Sequence, residues 1–405
     1  MTDRILARLR ELLGAQGVGR DPQGTPRALP ESEEAVALVC RTAYEEGWRV
    51  RVEGLGSWLP PDAPADLALS TRALDRVESV QPSDLVATVQ AGATLESVRR
   101  RLADQEMWLA LDPPGRPDRT IGSILATGTA GPLRHGFGPV RDHVLGCTAV
   151  TGDGRVIAAG GRVVKNVAGY DLTKLQVGGF GGFGVITRAH LRLRALPRAD
   201  QTLLARGGRD ALAFAGRAVC ESAVAVSALE LLSPATVAEP TWVLGARFTG
   251  NDAVVAAEAR RLEAVTEVEW EPLAPDRSHA FWGLAGRASL GGQVSVRLGA
   301  LLDGLDEALD LVTGALDEGL LAAGAGSGAI RWSGDTTAER LRTLRRLAAG
   351  REIPLTLERA PWQIRRLVGH FGAYHEGVGS LVSGLREAFD PGHRLAVALE
   401  GSPGD

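Results

Sequence analysis

The chain has 405 residues, 44% of them hydrophobic and 23% charged, enough for two or three cores and unlike a disordered polymer. A formal net charge of −4 argues against a nucleic-acid partner. Cys40, Cys147 and Cys220 are widely spaced with no C-x-x-C, which argues against a cysteine-ligated iron–sulfur cluster or structural zinc and for packed, reduced thiols.

Positive charge is nearly all arginine, and the two lysines, Lys165 and Lys174, fall in one short stretch. No run approaches the ~20 apolar residues of a membrane span, and the N-terminus lacks a signal-peptide core. The expectation is a cytoplasmic protein, touching a membrane only through partners.

In chain order, residues 3–14 read as an amphipathic helix with Ile5, Leu6, Leu9, Leu12 and Leu13 on one face. A Gly/Pro-rich connector runs through Pro30. Ser32 then caps a helix carrying Glu33 and Glu34 in its first turn and ending at Gly47. Residues 48–52 alternate as a strand and lead into Gly54-Leu-Gly-Ser57. Leu85–Val89 reads as a strand, and Thr94 caps a helix to about Gln105. Asp153-Gly154 marks a hairpin between strands at 147–151 and 155–159, and 185–193 closes the region as a strand. Beyond Pro197, strands are expected at 223–232, 241–249, 267–272, 293–300, 328–333 and 353–359. Helices are expected near 252–264, 304–318, 337–348 and 380–395, with Thr336 and Glu339 as a capping box.

Three segments could cradle a dinucleotide phosphate, because glycine lets successive backbone N–H groups approach an anion. The first is Gly54-Leu55-Gly56-Ser57, which a plain tight turn would also explain. The second is Pro114 with Thr120-Ile121-Gly122-Ser123, Thr127, Gly128 and Gly131, where a helix starting near Thr120 would aim its amides at the anion. Close packing on small residues is the competing explanation. A carboxylate placed at Gly122 is expected to repel the phosphate while sparing the fold. The third is Gly178-Gly-Phe-Gly-Gly-Phe-Gly184, which contains G-x-G-x-x-G. Its strand comes after it instead of before, so it reads as a glycine loop feeding a strand and not as a Rossmann fingerprint.

In order, Thr120-Ile-Gly-Ser123, Gly131-Pro, Arg134, Gly138, Val140-Arg-Asp142, Val144-Leu-Gly146, Lys165-Asn-Val-Ala-Gly-Tyr-Asp-Leu172 and Gly184-Val-Ile-Thr187 resemble the flavin subunits of glycolate oxidases. The resemblance spans about 30–200, the FAD domain shared with D-lactate dehydrogenases and vanillyl-alcohol oxidase. It continues more thinly through Val294–Arg297, Gly328–Trp332 and Phe389–Gly392, like the short E-type subunit. It implies an α+β fold: a PCMH-type FAD-binding domain at 1–197 (subdomains about 28–75 and 76–197), an α/β cap at 198–380, and a C-terminal segment, 381–405, returning to the first domain. It implies non-covalent FAD, with the pyrophosphate between Gly54–Ser57 and Thr120–Ser123, Lys165 nearby, and the backbone of Gly184 and Ile186 along the flavin or adenine. The loop 178–184 lacks the hydroxyl residues of the family pattern, and Gly122-Ser123 replaces its Gly-Gly.

Oxidation of a 2-hydroxy acid needs a cation for the carboxylate, and Arg297 and Arg331 are the candidates. The family's metal-binding His-x-Gly-Asp-Gly-Asn-x-His cluster is absent from the sequence. The resemblance therefore implies a subunit working with a D-type flavoprotein and an iron–sulfur subunit. A self-sufficient oxidase and a scaffolding subunit with a decayed flavin site are the alternatives.

Overall fold

The computed structural model describes residues 1–58, 62–161, 171–372 and 377–395. Local signals set the first layer. The helix Glu33–Glu46 starts where the Ser32 hydroxyl accepts from the Ala35 amide, and it stops where Gly47 turns left-handed at φ 75°. Its buried side chains, Val36, Val39, Cys40 and Ala43, recur at helical spacing and pack with Ile5 and Leu9 of the helix Thr2–Leu13. They cover a four-stranded sheet in the order Val18–Arg20, Pro26–Ala28, Leu67–Ser70, Val50–Glu53, antiparallel at the first pair and parallel at the other two. The connector to Pro30 thus holds two short edge strands where the sequence suggested only a loop.

A second, antiparallel sheet runs Val77–Gln81, Val86–Gln90, Val185–Arg192, Val144–Val150, Val156–Gly160. Its last two strands form the expected hairpin, with Gly154 at φ 83°. The helices Leu95–Ala103 and Ile121–Thr127 pack on this sheet, and Ile121, Ile124 and Leu125 share a core with Val89 and Ala189.

The third sheet has eight strands, antiparallel throughout: Glu271–Pro272, Ala199–Gly207, Trp242–Gly250, Ala228–Leu232, Leu320–Gly324, Ala329–Gly334, Val294–Gly299, Leu355–Arg359. Two of these, Ala199–Gly207 and Leu320–Gly324, are absent from the expected set. On one face Leu229, Leu231, Val296, Leu298 and Trp332 pack against helices that include Arg209–Glu221, Asp252–Val265, Leu305–Ala315 and Ala338–Ala349. The last of these is capped by Thr337, whose hydroxyl accepts from Arg340 N, one residue later than the capping box predicted. The segment after the helix Val378–Phe389 runs beside the N-terminal layers, where Gly152 N donates to Phe389 O and Val50 N to Arg394 O. No described helix is long and apolar enough to cross a membrane.

Candidate functional site

A cavity lies where the four-stranded sheet, the start of the helix Ile121–Thr127 and the strand Val185–Arg192 converge. One wall is the continuous run Val50–Trp58. Opposite it stand Gly122, Ser123, Ala126 and Thr127, with Phe180, Gly181, Gly184 and Ile186 along a third side. Arg365 and Leu395 reach in from the far end of the chain.

The run 54–58 has the chemistry of an anion cradle. Among the described residues, the amides of Gly54, Leu55, Gly56, Ser57 and Trp58 donate to no protein acceptor. Gly56 adopts φ 69°, a left-handed conformation in which a Cβ would be strained. A Cβ on Gly54 would overlap the Thr120 hydroxyl, so glycine there lets the loop lie against the helix start. The indole N–H of Trp58 is buried in the cavity wall without a partner among the described residues. Several backbone donors in succession beside a hollow are what a phosphate group requires.

The helix at 121–127 does not supply donors as the sequence suggested. Ile121 N donates to Ala93 O (2.8 Å), Gly122 N to Ala91 O (2.7 Å), Ser123 N to Thr120 Oγ1 (3.3 Å) and Ile124 N to Thr120 O (3.1 Å). The three orphan amides of Ile121, Gly122 and Ser123 are thus satisfied within the protein, and Ile124 N makes the first bond of the helix itself. Gly122 lines the cavity, yet a Cβ there would sit 2.8 Å from Ala91 Cβ. Its small size serves packing between helix and sheet.

Of the sequence candidates, Gly54, Leu55, Gly56, Ser57, Gly122, Ser123, Thr127, Gly184 and Ile186 line the cavity. Five do not. Thr120 uses its hydroxyl as the helix cap, Ile121 is buried in the core, and the Pro114 carbonyl accepts from Arg119. Gly128 closes the helix at φ 59°, and Gly131 packs on Asp112. Lys165, with Asn166 and Tyr170, falls outside the described residues. Asp171 caps the short helix Leu172–Gln176 and pairs with Lys174 at 3.1 Å, an exposed structural contact.

Sequence reasoning passed over Arg119. Its guanidinium is buried behind the cavity wall, donating to Pro114 O (2.8 Å) and Thr127 Oγ1 (2.9 Å), and its carbon lies 4.1 Å from the Trp58 ring centroid. Burial pushes its pKa down to about 9, against the pull of Glu358. It joins the cavity to a charged face on the eight-stranded sheet.

On that face Arg297 and Arg331 are cross-strand partners in register. Both hold Glu358, Arg297 Nε at 3.0 Å and Arg331 Nε at 3.1 Å. Burial would raise the Glu358 carboxyl, but Arg331 and Arg297 keep it below its ordinary value. Arg134 faces the same pair; its pKa is lowered by burial and then by Arg297 and Arg331, and its side chain makes no hydrogen bond or ion pair with a described residue. Glu230 lies nearby, raised to about 8 by burial, with Arg331 opposing and Asp112 adding to the shift. Three arginines around one ionised carboxylate leave positive potential for an anion.

Residues 27–160 match the family model described as an FAD binding domain. Glycolate oxidase subunit GlcE of Escherichia coli is 38% identical over 136 residues, 33% of this chain and 39% of that one. D-lactate dehydrogenase of Archaeoglobus fulgidus is 36% identical over 180 residues, 44% of this chain and 40% of that one. The chain spans about 40% of the length of these two curated relatives. In fold it resembles p-cresol methylhydroxylase, with a TM-score of 0.77 at 13% identity over 99% of this chain and 96% of that one. The 4-ethylphenol oxidase of Gulosibacter chungangensis gives 0.75 at 13% identity, over 99% of this chain and 97% of that one. By the match at 27–160, the chain carries an FAD binding domain, with FAD as its cofactor.

Proposed function

We propose that this chain is the FAD-binding subunit of a glycolate-oxidase-type complex, oxidising a small 2-hydroxy acid and passing electrons to a partner iron–sulfur subunit. The single observation that carries the reading is the pairing of two sites through Arg119: a cavity with five unengaged amides, and a sheet face with surplus arginine. The cavity fits FAD in its lining and donors, and the buried Trp58 N–H adds a further donor. The 54–58 amides would hold the diphosphate. Ser57 and Ser123 would offer hydroxyls, and Gly184 and Ile186 a flat backbone wall.

When bound, FAD supplies the two-electron acceptor for the C–H bond at the hydroxyl-bearing carbon. The residues of this chain would bind and orient the substrate. Arg134 and Arg297, the latter one-quarter exposed, are placed to take its carboxylate. Arg331, nearly buried and held on Glu358, would set the position of that carboxylate and hence of Arg297. Resemblance to GlcE favours a subunit over a self-sufficient oxidase.

Co-expression with a D-type flavoprotein and an iron–sulfur subunit should give a complex that reduces dye with glycolate, while the isolated chain is nearly inactive. In that complex Arg297→Met should lower kcat/KM by ~10–100-fold, the worth of one charged hydrogen bond. Equal turnover by the isolated chain would contradict the subunit reading, and an unaffected Arg297→Met variant would contradict the substrate site.

A further inference from the structure

We propose that Arg119 is the buried counter-charge to the cofactor's diphosphate, acting through Trp58, whose indole N–H donates to a phosphate oxygen. This rests on the reading that the cavity holds FAD. Arg119 is 1% exposed, and its guanidinium makes no ion pair among the described residues. Its hydrogen bonds run to neutral oxygens: Pro114 O at 2.8 Å, Thr127 Oγ1 at 2.9 Å, Ser123 Oγ at 3.4 Å and Ser123 O at 3.5 Å. The carboxylate that acts on it is Glu358, which Arg297 and Arg331 already hold at 3.0 and 3.1 Å. Burial lowers the Arg119 pKa to about 9, so the charge persists at neutral pH. A cation taken out of water with no carboxylate of its own is costly, and an incoming anion offsets that cost.

One side chain separates this charge from the cavity. Trp58 and Thr127 both line it, and Arg119 touches both, its guanidinium carbon 4.1 Å from the Trp58 ring centroid. Gly115 backs the same ring: a Cβ there would lie 3.0 Å from Cε3 and Cζ3, the ring edge opposite Nε1. Gly115 N in turn donates to Gly286 O at 2.9 Å, near the end of the helix Pro275–Arg287. The indole is thus fixed on one face and on its far edge, and Nε1 is left buried with no acceptor among the described residues. A cation over the ring polarises it and strengthens the N–H as a donor. A donor without an acceptor and a cation without an anion therefore meet at one side chain. The open amides of residues 54–58 lie in the same wall, which makes the diphosphate the anion that answers both. In the competing account Arg119 and Trp58 only brace the loop.

The two accounts separate in a binding experiment on the full chain stripped of flavin. FAD is titrated by quenching of its fluorescence, and ADP, which has the diphosphate but no flavin, by competition. Arg119→Met should weaken both ligands about tenfold or more. Arg119→Lys, which keeps the charge but not the planar stack, should weaken them less than about threefold. Trp58→benzothienylalanine, a ring of the same shape with sulfur in place of N–H, should weaken both about tenfold. A bracing role predicts that lysine and methionine lose alike, since neither stacks nor forks, and that the benzothiophene ring changes nothing. Either result would overturn the proposal. If Arg119→Met fails to fold, the other two variants decide: lysine must hold the affinity and benzothiophene must lose it, and failure of either overturns the proposal. A wild-type chain that binds neither FAD nor ADP would remove the parent reading, a different outcome from wild-type binding that these two side chains do not influence.

Discussion

Glu230 is a buried carboxyl raised to about 8 by burial, with no hydrogen bond to a described residue. Its ordinary value is near 4.5. Between those values the unfolded chain gives up this proton and the folded one keeps it, so the folded state binds more protons and stability falls as pH rises. The contribution is fully present below about pH 4.5 and lost by about pH 8. Glu230→Gln should therefore flatten the pH dependence of stability in that window, by up to a few kcal/mol at ~1.4 kcal/mol per unit. Chemical denaturation of both proteins at pH 5 and pH 8 checks this; parallel curves would contradict it. No pattern in the sequence marks Glu230, which stands in an apolar strand of the usual kind. Arg119 was equally hidden: Arg116-Pro-Asp-Arg119 reads as a solvated loop until the fold lays Trp58 over it. Arg297 and Arg331 stood out in the sequence only as cations on expected strands, and it is the pairing of those strands that sets them side by side.

At the scale of elements, caps and turns carried most of the legible information. Ser32, Thr94 and Thr120 each cap the expected helix, and Gly47 ends one, because these residues satisfy or terminate a backbone locally. Thr120→Ala should cost about 1 kcal/mol of stability through loss of the bond from Ser123 N, measurable as a lowered melting temperature. Gly122→Asp should not spare the fold. Its Cβ would lie 2.8 Å from Ala91 Cβ and 3.0 Å from Ala91 O, so a loss of ~1–3 kcal/mol is expected from overpacking. A variant as stable as wild type would show the helix can move away from the sheet. The missed strands have a physical reason. Ala199–Gly207 buries four consecutive residues and Leu320–Gly324 four of five, so neither alternates in polarity. Val18–Arg20 and Pro26–Ala28 are three residues long, too short to show a period.

Across the whole molecule, the glycine segments predicted from sequence do meet in one cavity, though residues 50–58 supply the open amides and the helix at 121–127 only a wall. Which amides are free depends on pairing between distant residues, such as Gly122 with Ala91, and no local pattern encodes that. The long-range contributions of Arg119 and Arg365 are invisible for the same reason. The loop 178–184, though poor in hydroxyls, still lines the cavity through Phe180, Gly181 and Gly184, so its role is shape and not hydrogen bonding. The central claim is that this cavity holds FAD with its diphosphate on the 54–58 loop. A crystal structure of the protein grown with FAD tests it most directly. The account predicts diphosphate oxygens within hydrogen-bonding distance of the amides of Gly54 to Trp58. Flavin density elsewhere, or a diphosphate held by the amides of Ile121 to Ser123, would contradict it.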